Sequence, residues 1–322
     1  MSKFNLEKTN DHEKWDGFVR QSAQGSIFHL YKFLELAVDH FELFWIKKGN
    51  DIRAGFVLIL NESNHVVLDD LVIHNGLLFF NKSKSNAKSM SENFAITSAL
   101  IDFLEKNYGT YKLALSPFLK DMRPFLWHNY HSTKKNDKIQ LDLRYTSFID
   151  ISSLRNSIEF ESELFTNLSS LRRRHIREAR QKGFSTILSE NVKLLVDSFE
   201  MMMAEKADPQ PKSKINRLFR LINGLIKLGY GKLFKTLNRD GQIIYLTFFA
   251  WDNNRAYYLF GCSTGKESYR FQGTIAFWDF FVWLANNSDL NIVDLEGINS
   301  PQRGNFKLSF GGSIESYYEI NK

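Results

Sequence analysis

Chemistry concentrates where the chain reads Asp294-Leu-Glu-Gly-Ile-Asn-Ser-Pro-Gln-Arg-Gly-Asn-Phe-Lys-Leu-Ser-Phe-Gly-Gly312, a stretch holding two carboxylates, two cations and four glycines. Asp294 and Glu296 alternate on what reads as a strand end, so both side chains reach one face and one cleft. Such a pair can serve as general acid and base, or it can neutralise Arg303 and Lys307 and cap the loop. Glycine-dense backbone comes close to a ligand, and a cation there stabilises negative charge as it develops. Lys307 is the first candidate for that role, because Phe306 and Phe310 on either side hold it partly buried. Tyr258 and Arg303 are secondary candidates for shaping the same cleft.

Other patterns need weighing. Gly261-Cys-Ser-Thr-Gly265 matches the nucleophile elbow of hydrolases, but no histidine follows His175, so no triad can be built in that order. Cys262, the only cysteine, reads as a small buried side chain and excludes an internal disulfide or a cysteine zinc cluster. Arg270-Phe-Gln-Gly273 opens a helix, whose first N–H groups form an anion site. His128 and His131 have a weak metal spacing with only Asp121 and Asp137 as nearby acids.

Charge is uneven. The net value is +6, yet residues 172–182 carry six Lys/Arg against one acid and residues 206–239 carry nine against one. This basic zone fits a phosphate-bearing partner or a solvated face. Residues 159–182 read as one amphipathic helix with Phe160, Leu164, Leu168, Leu171, His175 and Ala179 on the apolar face. Arg173, Arg177 and Arg180 lie opposite, Asn156 and Glu159 are read as the capping pair, and Gly183 as the stop. Arg173 and Arg177 are the phosphate candidates, with Arg217 from the second basic run, although cations near a helix C-terminus also complement its dipole.

The elements that position these residues follow a plan used twice. Runs 41–48, 52–60 and 66–68 read as strands in the first half, and 232–237, 242–251 and 255–260 in the second, each set broken by Asn/Asp/Gly turns. A helix follows in each half (91–106 and 272–286), then another strand (111–115 and 291–295). Segments 11–22 and 31–39 read as opening helices, and a strand is expected near 138–143. At 322 residues, 43% hydrophobic, the chain has room for two soluble domains. The N-terminus lacks an apolar signal core and the most apolar helix, 275–285, is too short to span a bilayer, so the cytoplasm is the expected compartment.

The pair Asn305-Phe306-Lys307 and Phe310-Gly311-Gly312 resembles the C-terminal signature of the FemABX-type aminoacyltransferases within the GNAT-like acyltransferase group. The segment Leu171-Arg-Arg-Arg-His-Ile-Arg-Glu-Ala-Arg-Gln-Lys-Gly183 is similar to that family's R-x-x-I-R-x-A-x-x-x-G helix. The resemblance implies an α/β (α+β) chain of two tandem GNAT-like domains, 1–145 and 146–322, each a mixed, largely antiparallel sheet flanked by helices. It implies transfer of an acyl or aminoacyl group to an acceptor amine. Lys307 would lie near the donor's reactive ester, and Ser263, Arg270, Gly273, Phe306 and Tyr258 along the donor. The GNAT loop Q/R-x-x-G-x-G/A is matched at Arg270 and Gly273, but Ile275 replaces its last small residue, which leaves the donor undecided between acyl-CoA and aminoacyl-tRNA. The acceptor implied is a small molecule or cell-wall precursor; no tightly bound cofactor and no metal are expected, and the oligomeric state stays open. Too little chain lies between Gly183 and Gly231 for the helical arm of some family members. The rival expectation is a GNAT-like module that has lost its chemistry and only binds a phosphate-bearing ligand or nucleic acid.

Overall fold

A computed structural model describes residues 4–80, 85–265 and 269–322; Met1–Lys3 of the N-terminal stretch read above lie outside them. The chain divides into two compact units, Met1–Arg144 with Ser316–Lys322, and Tyr145–Glu315. The strands β6 and β12 named below each begin in one unit and end in the other.

The first unit contains β1 (Asn5–Lys8), α1 (His12–Gln21), α2 (Tyr31–Ala37), β2 (Phe41–Lys48), β3 (Asp51–Ile59), β4 (Gly76–Phe79), α3 (Asn86–Asn107), β5 (Lys112–Ala114) and α4 (Arg123–Trp127). Strands β1 to β4 form an antiparallel sheet in chain order. Gly49, at φ +60°, makes the tight turn between β2 and β3 that the Gly-Asn-Asp sequence anticipates. Val66–Leu68 is not a strand: Val66 makes only isolated bridges, to Leu60 and Tyr111. The core closes on Phe56, Leu58, Leu77, Leu100, Leu104 and Leu113, so α3 lies against the sheet.

The second unit takes in β6 (Gln140–Asp150), α5 (Glu163–Asn167), α6 (Ser170–Gln181), β7 (Ser185–Ser189), α7 (Val192–Glu205), α8 (Lys212–Lys227), β8 (Gly231–Leu237), β9 (Ile243–Trp251), β10 (Ala256–Ser263), α9 (Gln272–Asn287), β11 (Ile292–Asp294), α10 (Pro301–Leu308) and β12 (Ser313–Asn321). Its sheet runs β6-β11-β10-β9-β8-β7. The pairs β7/β8, β8/β9, β9/β10 and β11/β6 are antiparallel, and β10/β11 is parallel. At the β9–β10 turn Asp252 Oδ1 accepts from Asn254 N (2.7 Å) and Arg255 N (3.0 Å), while its Oδ2 accepts from Tyr257 Oη (2.6 Å). The apolar helix α9 is buried almost throughout, with Ile275, Trp278, Phe280 and Phe281 in the core against Phe249 and Phe234. Helices α7 and α8 pack on β10 and β8.

Two expectations about the basic helix fail for one reason. Residues 159–182 form two helices, because Ser162 and Ser169 each cap a new start, accepting from Phe165 N and Arg172 N. The break at Leu168 turns the apolar face, so Leu171 is exposed whereas Arg172 and Ile176 are buried, and Phe160, which precedes α5, is exposed outside both helices. Asn156 and Glu159 do not cap: Glu159 accepts from Arg180 and from Trp278 Nε1 (2.9 Å). Arg180 turns inward to Glu159 and Asp279 rather than lining an outer face. Gly183 does end the helix, at φ +73°.

After α10 the chain returns to β12 through Gly311 and Gly312. A Cβ on Gly312 would press on Ser147 Oγ and stand 2.8 Å from Phe148 O, both on β6. Gly312→Ala should therefore lower stability by about 1–3 kcal/mol through overpacking, read as a lower urea midpoint at unchanged slope.

Candidate functional site

Strands β10 and β11 stay side by side for only two rows, Ala256 with Val293 and Tyr257 with Asp294. Beyond them the chain leaves β10 and follows β6: Leu295 N donates to Ser147 O (2.9 Å) and Ile298 N to Tyr145 O (3.0 Å). β10 itself continues to Ser263, with a bulge after Tyr258. The strands thus part at Tyr257 and Asp294, and among the described residues no strand pairs with β10 past that point on the side that β11 leaves.

Helix α10 fills the space beside this opening. Its glycines predict a loop between strands; residues 301–308 are instead a helix, with Pro301 at its start and Lys307 in its last turn. Proline suits a first turn, where its missing N–H has no acceptor to lose. Gly304 lets the helix touch the preceding loop, since a Cβ there would lie 2.6 Å from Ile298 O. Lys307 is 8% exposed. Its Nζ donates to Gly297 O (3.0 Å) and stands 5.2 Å from the centre of the Tyr258 ring.

Asp294 and Glu296 lie in the same buried space, at 1% and 6% exposure. Asp294 Oδ1 accepts from Thr146 Oγ1 and from Glu296 N. Glu296 is outside β11 and holds a left-handed φ of +57°, unusual for a side chain larger than Asn. Its Oε1 is buried without a hydrogen-bond partner. Burial pushes the Asp294 carboxyl up to about 6, against the Thr146 and Glu296 hydrogen bonds and the charges of Arg255 and Lys307. Burial, reinforced by Asp294, raises Glu296 well above the usual carboxylate range, and Lys307 opposes it. Burial lowers Lys307, with Glu296 and Asp294 pulling the other way and Arg303 adding to the fall. Acid and base are therefore drawn toward each other in proton affinity, the condition under which a proton moves easily between a side chain and a substrate.

Two phenols complete the wall. Tyr245 on β9 and Tyr258 on β10 meet over Gly261: a Cβ on that glycine would lie 2.6 Å from the Tyr258 hydroxyl and 3.1 Å from that of Tyr245. Gly273, in the first turn of α9, faces the Phe306 ring, a Cβ there falling 3.5 Å from it. Thus the structure gathers Asp294, Glu296, Lys307, Phe306, Tyr258 and Gly273 into one place. Arg303 is on the exposed side of α10, one turn before Lys307.

The remaining candidates stand elsewhere. Ser263, at the end of β10, points its Oγ at Ile244 O (3.4 Å). Arg270 is exposed and pairs with Glu178 of α6 (2.7 Å). Arg173 is half-buried and Arg177 exposed on α6, the latter over the rings of Phe165 (5.1 Å) and Phe160 (5.9 Å). Arg217 is half-buried on α8. Cys262 is buried, its thiol pushed up to about 12 by burial. No group of metal-binding side chains occurs among the described residues, nor is any helix among them long and apolar enough to cross a membrane. Sequence reasoning did not single out Thr146, Arg172, Tyr245 and Gly304; only their packing reveals them.

The fold, two GNAT-like domains in tandem, is similar to that of solved structures that include FemX and a tandem GNAT protein. No protein-family model and no curated protein matches the sequence. Among solved structures, FemX is similar over 97% of this chain and 96% of its own, with a TM-score of 0.63 and 12% identity. A tandem GNAT protein from the clavulanic acid biosynthesis pathway matches over 99% and 98% (TM-score 0.58, 9% identity). L-PGS from Bacillus licheniformis matches over 98% and 92% (TM-score 0.56, 9% identity).

Asp294 sets a pH test. Its folded value of about 6 lies above the ordinary 3.8, so the proton favours the folded chain. That stabilisation is whole below about pH 4 and is lost as pH rises through about 6. Asp294→Asn keeps an Oδ1 acceptor and removes the titration. It should raise stability by about 1–3 kcal/mol above neutrality and change it little near pH 4, as denaturant midpoints at the two pH values will show.

Proposed function

We propose that the chain is an amide-forming acyltransferase, working at the opening between β10 and β11. The observation that carries this reading is the burial of Lys307 with Glu296 and Asp294 beside that opening. A fold-only module has no use for three ionisable groups in a dry space. An acceptor amine attacks the acyl carbonyl of an activated ester or thioester; the N–C bond forms as the carbonyl oxygen gains charge. Lys307 donates a hydrogen bond to that oxyanion. Glu296, in its ionised form a stronger base for being buried, takes the proton that the attacking nitrogen sheds, with Asp294 holding the neighbouring backbone. Collapse of the intermediate breaks the C–S or C–O bond and expels the thiolate or alkoxide, which takes up the proton held by Glu296 and leaves that carboxyl ionised again. Proximity and oxyanion stabilisation supply the rate, and the scheme requires no metal.

The donor is acyl-CoA or aminoacyl-tRNA, and the acceptor a small amine or, following the FemABX resemblance, a cell-wall precursor. The exposed Arg174 and Arg177 and half-buried Arg173 of α6 supply cations for donor phosphates. They are fewer than the sequence suggests, because Arg172 and Arg180 are committed within the fold and Lys182 pairs with Glu178 (3.1 Å).

Calorimetric titration with coenzyme A at near-physiological salt is the first test. Saturable binding, weakened by Arg270→Ala, selects acyl-CoA; its absence, with tRNA binding that falls steeply with salt, selects aminoacyl-tRNA. With the donor in hand, Lys307→Ala should cut transfer about 10²–10³-fold while leaving donor affinity nearly unchanged. Unaltered transfer in that variant sinks the assignment, and donor binding without transfer to any amine favours the purely binding module.

A further inference from the structure

Arg172 stands in the first turn of α6, where the helix dipole opposes a cation, and is 8% exposed. Buried cations are ordinarily paired with acids, yet among the described residues no carboxylate is a hydrogen-bond partner of Arg172. Its Nε donates to Ser309 Oγ (2.6 Å), and one terminal nitrogen donates to Thr274 Oγ1 (2.8 Å) and to His175 Nδ1 (3.3 Å). Burial lowers the His175 imidazole, helped by Arg172, which keeps Nδ1 available as an acceptor.

These contacts converge on the end of α10. The guanidinium lies 4.4 Å from the Phe306 ring centre and 5.7 Å from that of Phe310. Ser309, which accepts from Arg172, donates its own hydroxyl to Phe306 O (2.6 Å). The α6 cap Ser169 donates its N–H to Ser309 O (3.0 Å). Phe306 and Ser309 flank Lys307, whose surroundings are Glu296, Asp294, Arg303 and the Tyr258 ring.

We propose that Arg172 is a positioning residue for Lys307: by gripping Phe306 and Ser309 it fixes the turn of α10 that delivers the ammonium to Gly297 and the two carboxylates. This deepens the acyltransferase reading and rests on Lys307 being its working cation, but it can be tested without a substrate. Reductive methylation with ¹³C-formaldehyde followed by NMR titration reports the Lys307 amine, identified by the resonance missing in Lys307→Arg. Arg172→Lys keeps the charge and loses the fork, whereas Ser309→Ala alters no charge and removes only the hydroxyl. In both, a loosened α10 admits water, and the Lys307 midpoint should rise toward that of ordinary lysine by about one pH unit, a tenfold change in proton affinity. An unchanged midpoint with only a lower melting temperature overturns the proposal and leaves Arg172 a packing residue. Should Arg172→Lys fail to fold, Ser309→Ala decides alone. A raised midpoint with undiminished acyl transfer would uphold the positioning role and count against the catalytic one assigned to Lys307.

Discussion

A lysine and two carboxylates enclosed in one apolar space cannot all carry full charge in water-like fashion, and the second unit is arranged around that constraint. Each ion left in a low-dielectric interior costs several kcal/mol unless it is paired or its proton is shared. The protein answers by sharing: Glu296 and Asp294 hold protons more tightly than free acids, and Lys307 less tightly than a free amine. The space exists only because β11 deserts β10 after two rows and follows β6 instead. Had the strands stayed paired, sheet hydrogen bonds would fill the opening, and Lys307 would have nowhere to enter.

Keeping the cation in place is the next demand, and α10 is pinned at its middle and at its C-terminal end to meet it. At its middle, Gly304 sits against Ile298 O, contact that no side chain would permit. Its C-terminal end is closed by Phe306 and Phe310 within the aromatic core that includes Phe277 and Phe281. Arg172 adds the link to α6 and α9. The lowered proton affinities of that arginine and of Lys307 have one main cause, burial.

Much of this frame was legible in the residues. The aromatic and β-branched runs with Asn/Asp/Gly turns mark β2, β3, β8, β9 and β10, and the duplicated meander, helix and strand identify the fold. What escaped depends on distance along the chain. Pro301 and the spaced Phe306 and Phe310 are compatible with a helix, but three of the stretch's four glycines favour loop chemistry, and only contact with Ile298 shows why Gly304 stands inside α10. The split of residues 159–182 was written in Ser162 and Ser169, whose capping competes with a continuous 3.6-residue period; the period was the louder signal. Charge counting overstated the exposed basic surface, since counting cannot tell Arg180, bound to Glu159 and Asp279, from Arg174 in solvent.

Glu296 carries both a backbone cost and a solvation cost. A non-glycine residue at φ +57° costs about 1 kcal/mol or more, and a buried carboxyl oxygen without a partner adds to that. The hydrogen bond to Asp294 does not return this free energy, since it comes from the Glu296 N–H, which a glycine at the same position would supply without strain; what the side chain itself meets is the charge of Lys307. Asp294, by contrast, is tied to Thr146 and to the loop backbone, so it has a structural occupation as well. A scaffold that only bound its ligand would be more stable with glycine at 296. Under the proposed acyl transfer, that side chain is a proton acceptor held beside Lys307, and the fold bears its cost for the reaction.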